Sequence, residues 1–269
     1  MTFDIEGLTG HTPTPEEIEK AKSKSMDLLQ MQIKADNEAQ GYLKYYDCLK
    51  CKNKGVYYIE KDGKELAVDC ECMPLRNSIE ALEKSGLSSA LKKMTFDNYT
   101  CGSEWQVQIK EKAMSFLTAP EGCFFFIGGQ SGAGKTHICT ALLKGFLDNK
   151  KSIRYFKWAD DLNKVLSLSS SESRAERAEI IEPLKKTDVI YIDDFFRSKI
   201  PSQAEIKLAF EIINARYTQD LTTIISSEKT TKEIKMIDEA IFSRIFERTN
   251  KGEYYIDLPH NPDKNQRLN

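Results

Sequence analysis

A chain of 269 residues, 40% hydrophobic and 30% charged, is long enough to bury a core in one large or two smaller domains. Its formal charge of -2 excludes a broadly basic surface, so any nucleic-acid contact must be local. The sequence has no apolar run of about 18 residues to span a membrane and no basic, apolar leader at Met1-Thr2-Phe3-Asp4, while its seven cysteines are too unevenly placed for a secreted disulfide scaffold. A cytoplasmic protein with no membrane partner is expected.

Residues 1–13 hold turn formers without periodicity. Thr14-Pro15-Glu16-Glu17 is a helix start, with Thr14 as N-cap and Glu17 closing a capping box. The helix is expected to run to about Gln40. Its thin apolar stripe (Ile18, Ala21, Leu28, Leu29, Ile33) suits either a partner protein or a solvated helix leaning on its own chain.

Cys48-Leu49-Lys50-Cys51 and Cys70-Glu71-Cys72 follow. Two close cysteine pairs joined by a loop can place four thiolates around Zn²⁺. Between them, 55–59 and 65–68 flank the turn Lys61-Asp62-Gly63-Lys64, so the unit reads as a zinc ribbon built on a β-hairpin. The second pair is one residue tighter than C-x2-C. Unligated thiols and an iron–sulfur cluster are the alternatives. Four thiolates leave no open coordination position, so the metal would be structural. Cys101, Cys123 and Cys139 read as buried small apolar residues. Lys50, Lys52, Lys54, Lys61 and Lys64 with Tyr57 and Tyr58 form either a solvated charged face or a contact for single-stranded nucleic acid.

Short helices at 79–84 and 88–93 precede an extended stretch, Thr95-Phe96-Asp97-Asn98-Tyr99, and a helix at 104–116. A domain boundary is expected near residue 90, giving an N-terminal helix-and-ribbon domain over 1–90 and a second domain over 91–269. The second domain alternates strands (123–127, 153–158, 188–193, 222–227, 254–258) with helices (135–148, 160–168, 203–217, 237–248). That is an α/β pattern: a mainly parallel sheet with helices on both faces. The Ser-rich run 167–173 is expected to be a loop.

The chemistry concentrates at Gly129-Gln130-Ser131-Gly132-Ala133-Gly134-Lys135-Thr136, a G-x-x-x-x-G-K-[ST] sequence between a strand and a helix starting at His137. Glycines let the backbone curl so that successive N–H groups face an anion, and the helix N-terminus adds its positive end. These residues and His137 are the expected nucleotide contacts. Lys135 would reach the β- and γ-phosphates and the Thr136 hydroxyl would coordinate Mg²⁺. Asp188-Val189-Ile190-Tyr191-Ile192-Asp193-Asp194 is an apolar strand ending in acids, the Walker B pattern. Asp193 would hold Mg²⁺ and Asp194 would polarise the attacking water. The strand ending Ser226-Ser227-Glu228 is expected between the P-loop and Walker B strands. Arg244 and Arg248 stand one helical turn apart, either offered to a neighbouring subunit as an arginine finger or paired with Glu239 or Glu247. Arg267 is a further phosphate-contact candidate.

Together these motifs resemble the DnaC/DnaI-like helicase-loader ATPases of the AAA+ class. The resemblance rests on the four-cysteine ribbon, Thr95–Tyr99, Gly129–Thr136, Ile192-Asp193-Asp194, Ile213-Asn214-Ala215-Arg216-Tyr217, Ile225-Ser226-Ser227-Glu228 and Ser243-Arg244-Ile245, across residues 45 to 269. It implies an AAA+ ATPase domain without a sizeable C-terminal lid, ATP-dependent self-association, and contact with single-stranded DNA. It also implies an N-terminal region that docks on a DnaB-type hexameric replicative helicase, and the arginine-finger role for Arg244. Two departures stand out. Asp194 occupies the place of the usual Glu, which implies slow hydrolysis. Glu228 puts a carboxylate where relatives end the strand with Thr-Ser-Asn, which leaves Ser227 as the γ-phosphate contact. The rival readings are an IstB-like transposition helper, a small-molecule P-loop kinase, and an ATP switch or adaptor with little hydrolysis.

Overall fold

The computed structural model describes residues 14–168, 170 and 172–258. The chain forms two compact units, Met1–Arg76 and Asn77–Asn269. The division falls earlier than the boundary expected near residue 90, because Leu82, Leu87 and Leu91 are buried in the core of the larger unit.

In the smaller unit, helix α1 (Pro15–Glu38) begins with the expected capping box of Thr14 and Glu17. Strands β1 (Val56–Lys61) and β2 (Lys64–Asp69) form an antiparallel hairpin with Lys61 opposite Lys64. Its two-residue turn has both residues in the left-handed region, Asp62 at φ 55° and Gly63 at φ 71°, the positive φ values that let a tight turn match the right-handed twist of the strands. The end of α1 is tied to this hairpin. The Asn37 side-chain amide donates to the Tyr58 carbonyl and accepts from the Tyr58 N–H, each at 2.8 Å. Lys54 Nζ donates to the carbonyls of Asp36, Asn37 and Ala39 at 2.6–3.0 Å, placing a cation at the negative end of the helix. No residue of α1 is buried, and Ile18, Met26, Leu28 and Met31 are exposed.

Helix α2 (Met73–Lys84) spans the division; α3 (Ser88–Lys93) and α4 (Glu104–Phe116) follow in the larger unit. Then come β3 (Phe124–Gly129), α5 (Lys135–Asp148), β4 (Ile153–Lys157), α6 (Trp158–Ser167), α7 (Arg174–Lys186) and β5 (Val189–Asp193). The described chain ends with α8 (Gln203–Thr218), β6 (Thr222–Ser227), α9 (Thr231–Ile237), α10 (Glu239–Arg248) and β7 (Tyr255–Leu258). The five strands β3 to β7 pair in parallel in the order β4-β5-β6-β3-β7, so β6 lies between the P-loop strand and the Walker B strand as expected. Alternation along the strands sorts the core. Phe125, Ile127, Tyr191 and Ile224 face α3, α4 and α5, whereas Phe124, Phe126, Ile192 and Ile225 face α6 to α10.

Helix α7 was not expected; it fills 174–186 with Pro183 in its last turn and only Ile181 and Leu184 buried. The helix expected at 237–248 is α10, starting two residues later, and the short α9 before it was not expected. Asp238 ends α9, and its carboxylate caps α10 by accepting the Ile241 N–H at 2.8 Å. Cys139 is buried as expected, but Cys123 is only half-buried and Cys101 is exposed. Of the Ser-rich run, positions 169 and 171 lie outside the described residues. Arg216 is fully buried. Its guanidinium donates to the Thr223 hydroxyl and to the carbonyls of Leu184, Thr187, Asp188 and Thr222, holding α8 against the starts of β5 and β6. No helix among the described residues is long and apolar enough to cross a membrane.

Candidate functional site

The loop after β3 curls where its glycines allow it. Gly129 has φ 117°, and a Cβ there would stand 1.9 Å from the Leu258 carbonyl oxygen; Gly132 and Gly134 both have φ 80°. Inside the curl, Lys135 Nζ donates to the carbonyls of Gly129 and Gln130, each at 2.7 Å. Burial pulls this ammonium below its ordinary value, against the opposing pull of Glu228 and Asp194. Ser131, Gly132, Gly134, Lys135, Thr136 and His137 line a cavity of about 330 Å³. Ala133 is buried behind it. The His137 ring contacts the Thr95 carbonyl at 2.9 Å through Nε2 and packs edge-on against Tyr99, bringing the Thr95–Tyr99 stretch to the start of α5.

Across the cavity stand Asp194, Arg197 and Glu228. Asp193, at the end of β5, is buried and its carboxylate accepts three hydroxyls. The Tyr191 and Ser226 hydroxyls donate to Oδ1 at 2.6 Å each, and Tyr155 donates to Oδ2 at 2.9 Å. Tyr191 precedes Asp193 by two on its strand and Tyr155 is its register partner on β4, so the pleat puts all three on one face. Asp194 begins the turn out of the sheet in the left-handed region, at φ 56°. Burial and the neighbouring Asp193 hold its carboxyl above the ordinary range, Arg197 acting against them. Arg197 donates to Asp194 Oδ2 at 3.0 Å.

These residues fit the group that their pattern implies. The curled loop offers backbone N–H groups and a lysine to phosphates, and Thr136 and Asp193 would hold Mg²⁺. Tyr155, Tyr191, Ser226 and Arg197 were not among the expected site residues. The first three could be found from strand parity, and Arg197 only from its place just after the paired acids.

One expected contact of the chain's own cavity stands elsewhere. Ser227 is fully buried and turned away from the cavity; its hydroxyl donates to the Phe195 carbonyl at 2.6 Å and accepts the Lys229 N–H. Arg244 does not line the cavity of its own chain. It donates to Asn214 Oδ1 and the Ala240 carbonyl, each at 2.9 Å, and lies over the Phe210 ring. Arg248 pairs with Asp220 at 2.7 Å and covers Tyr217, so neither arginine takes Glu239 or Glu247. Arg267 lies outside the described residues.

The second site is in the smaller unit. The Sγ atoms of Cys48, Cys51, Cys70 and Cys72 all lie within 4.8 Å of one another, and Cys48–Cys70 and Cys51–Cys72 approach to 3.7 and 3.6 Å without a disulfide. A tetrahedron with Zn–S of about 2.3 Å has edges of about 3.8 Å, so the spacing suits Zn²⁺. Burial pushes the Cys70 thiol up to about 12; burial acts likewise on Cys51, but the Gly55 N–H and the neighbouring thiols bring it down to about 6. Arg76 braces the cluster. It donates to Cys72 Sγ at 3.3 Å, to Asn53 Oδ1 at 2.6 Å, and to the Lys44 carbonyl.

A parallel sheet in this strand order, with a P-loop on one central strand and paired acids two strands away, defines a P-loop ATPase domain of the AAA+ fold. Residues 91–249 match the family of the bacterial DnaA ATPase domain, and the chain belongs to that family. It is 26% identical over 237 residues to the phage-like element PBSX protein XkdC of Bacillus subtilis (strain 168), covering 79% of this chain and 83% of that protein. Among solved structures it is similar to the DnaC helicase loader, with a TM-score of 0.50 and 21% identity over 60% of this chain and 96% of the loader. It is similar too to a replication initiator DnaA bound to AMPPCP and single-stranded DNA, with a TM-score of 0.51 and 20% identity over 65% of this chain and 52% of that one. At these identities the structural likeness is one of fold.

Proposed function

We propose that this protein is an ATP-dependent loader that places a DnaB-type hexameric replicative helicase on single-stranded DNA. One observation carries the reading: a single chain joins an AAA+ nucleotide site to a four-cysteine unit whose long helix leaves Leu28 and Met31 60% and 69% exposed. Apolar side chains on an otherwise charged helix suit a protein partner. In this reading the loop from Gly129 to His137 binds ATP, and Mg²⁺, when bound, neutralises phosphate charge. Thr136 and Asp193 position the metal, and Asp194 orients the attacking water. Zn²⁺ at Cys48, Cys51, Cys70 and Cys72 holds the ribbon together. Arg244, which does not line its own chain's cavity, serves a neighbouring subunit when ATP brings copies of the chain together.

Mixing the purified protein with its replicative helicase and measuring mass by light scattering tests this. An ATP-modulated complex is expected, and absence of a complex under every nucleotide condition refutes loading. One observation favours a second reading, an ATP switch with little hydrolysis: the carboxylate needed to activate water is ion-paired with Arg197. The two separate on Lys135→Ala and Asp194→Asn, because partner binding by a pure switch is indifferent to the second change.

A further inference from the structure

The P-loop cavity holds two acids, Asp194 and Glu228, and two cations, Lys135 and Arg197. Lys135 is drawn into the loop by the Gly129 and Gln130 carbonyls. Arg197 is placed differently. Its backbone is anchored on both sides while its side chain, 53% exposed, leans over the cavity. On one side Phe195 and Phe196 are fully buried, their rings 4.2 Å apart and packed on Trp158. On the other, the Ser198 hydroxyl donates at 3.0 Å to Glu205, which also accepts the Trp158 indole N–H at 2.8 Å. The guanidinium can therefore change partner without moving the chain.

Its present partner, one oxygen of Asp194, is a weak competitor. A single-contact pair whose arginine is half exposed contributes little, whereas a terminal phosphate offers a guanidinium two parallel charge-assisted bonds. Further positive charge is favoured there, because Glu228 lines the same cavity and repels a γ-phosphate whose charge Lys135 and Mg²⁺ only partly offset.

We propose that Arg197 is a γ-phosphate contact supplied in cis, which exchanges Asp194 for the terminal phosphate when a nucleoside triphosphate enters and so frees the Asp194 carboxylate only in the triphosphate state. The proposal rests on the nucleotide-binding reading above. A diphosphate, which lacks the competing group, leaves the Arg197–Asp194 pair closed. The pair thus acts as a latch on Asp194.

Calorimetric titration of the full chain with Mg²⁺ and either AMPPCP or ADP tests the latch. Arg197→Ala is expected to lose about 10- to 100-fold in AMPPCP affinity, the loss of one or two charge-assisted hydrogen bonds, while ADP affinity stays within about twofold. Arg197→Lys, which keeps the charge and loses the fork, falls between. Equal losses for the two nucleotides in both variants, or no loss for either, overturn the assignment while leaving nucleotide binding intact. A wild-type chain that binds neither nucleotide overturns the nucleotide reading itself, and this proposal with it.

Discussion

Asp193 is the most heavily braced group in the nucleotide site, and Tyr191→Phe tests what the bracing contributes. The substitution keeps the ring in its buried place on β5 and removes one O–H, which donates to Asp193 Oδ1 at 2.6 Å. That oxygen retains the Ser226 hydroxyl, and Oδ2 retains Tyr155. A hydrogen bond to a charged acceptor contributes about 1.5–3 kcal/mol, so a loss of about 2 kcal/mol is expected. For a folded unit of this size that corresponds to a fall of roughly 4–8 °C in Tm. Urea unfolding followed by circular dichroism, without nucleotide, measures it. Ser226→Ala together with Tyr191→Phe should cost less or more than the sum of the two, because both hydroxyls serve the same oxygen and lie 3.1 Å apart. Tyr99→Phe is the control: that hydroxyl is buried with no hydrogen-bond partner among the described residues, so its removal should be neutral or stabilising. The reasoning fails if Tyr191→Phe costs no more than Tyr99→Phe.

Arg216→Lys keeps a charge but cannot reproduce the fork that meets four carbonyls and a hydroxyl, and a loss on the order of 3 kcal/mol in urea unfolding is expected. Metal analysis should return about one zinc per chain, and Cys51→Ala should abolish it while nucleotide affinity persists; zinc retained at full occupancy would exclude the four-thiolate site. Asp194→Asn should raise the Tm of the nucleotide-free protein at pH 7. The folded-state pKa of Asp194 is raised, so its stabilising contribution is present in acid and lost as pH climbs from the unfolded value through the folded one. The variant should therefore show a flatter stability profile across that window, and parallel profiles for variant and wild type would contradict it.

Much of this was legible because the pleat and the helical turn are strict. The apolar runs at 124–127, 189–192 and 224–225 are buried on both faces, as central parallel strands must be, and their acidic or glycine-rich ends mark the sheet edge where the site lies. Helix α7 was hidden because its burial rests on Ile181 and Leu184 within a charged segment interrupted by Pro183, so its periodicity is faint. The break at Asp238 was readable in principle, since an aspartate three residues before Ile241 is a cap signal. Ser227 failed on parity. Ser226 shares a face with Ile224, Tyr191 and Asp193, and the next residue points through the sheet to Phe195. The partners of Arg244 and Arg248 depend on where α8 lies beside α10, a tertiary fact that spacing along one helix does not carry.

One of the two departures from the loader pattern, Asp194, follows from local geometry. The chain must leave β5 and bury Phe195 and Phe196 against Trp158 at once, and it does so by taking Asp194 and Phe196 through the left-handed region at φ 56° and 53°. Aspartate tolerates that conformation better than a longer side chain, so the turn favours Asp at 194 at the expense of reach toward a water molecule. The shorter carboxylate lies instead within 3.0 Å of Arg197, three residues on. Glu228 lines the same cavity and adds a second negative charge. In the proposed triphosphate state these two acids add negative charge beyond what Lys135 and Mg²⁺ offset, and Arg197 is the further cation on the cavity lining. The unusual acid at 194, the carboxylate at 228 and the arginine at 197 are thus parts of one charge balance, and changing any one of them should alter how the site distinguishes tri- from diphosphate.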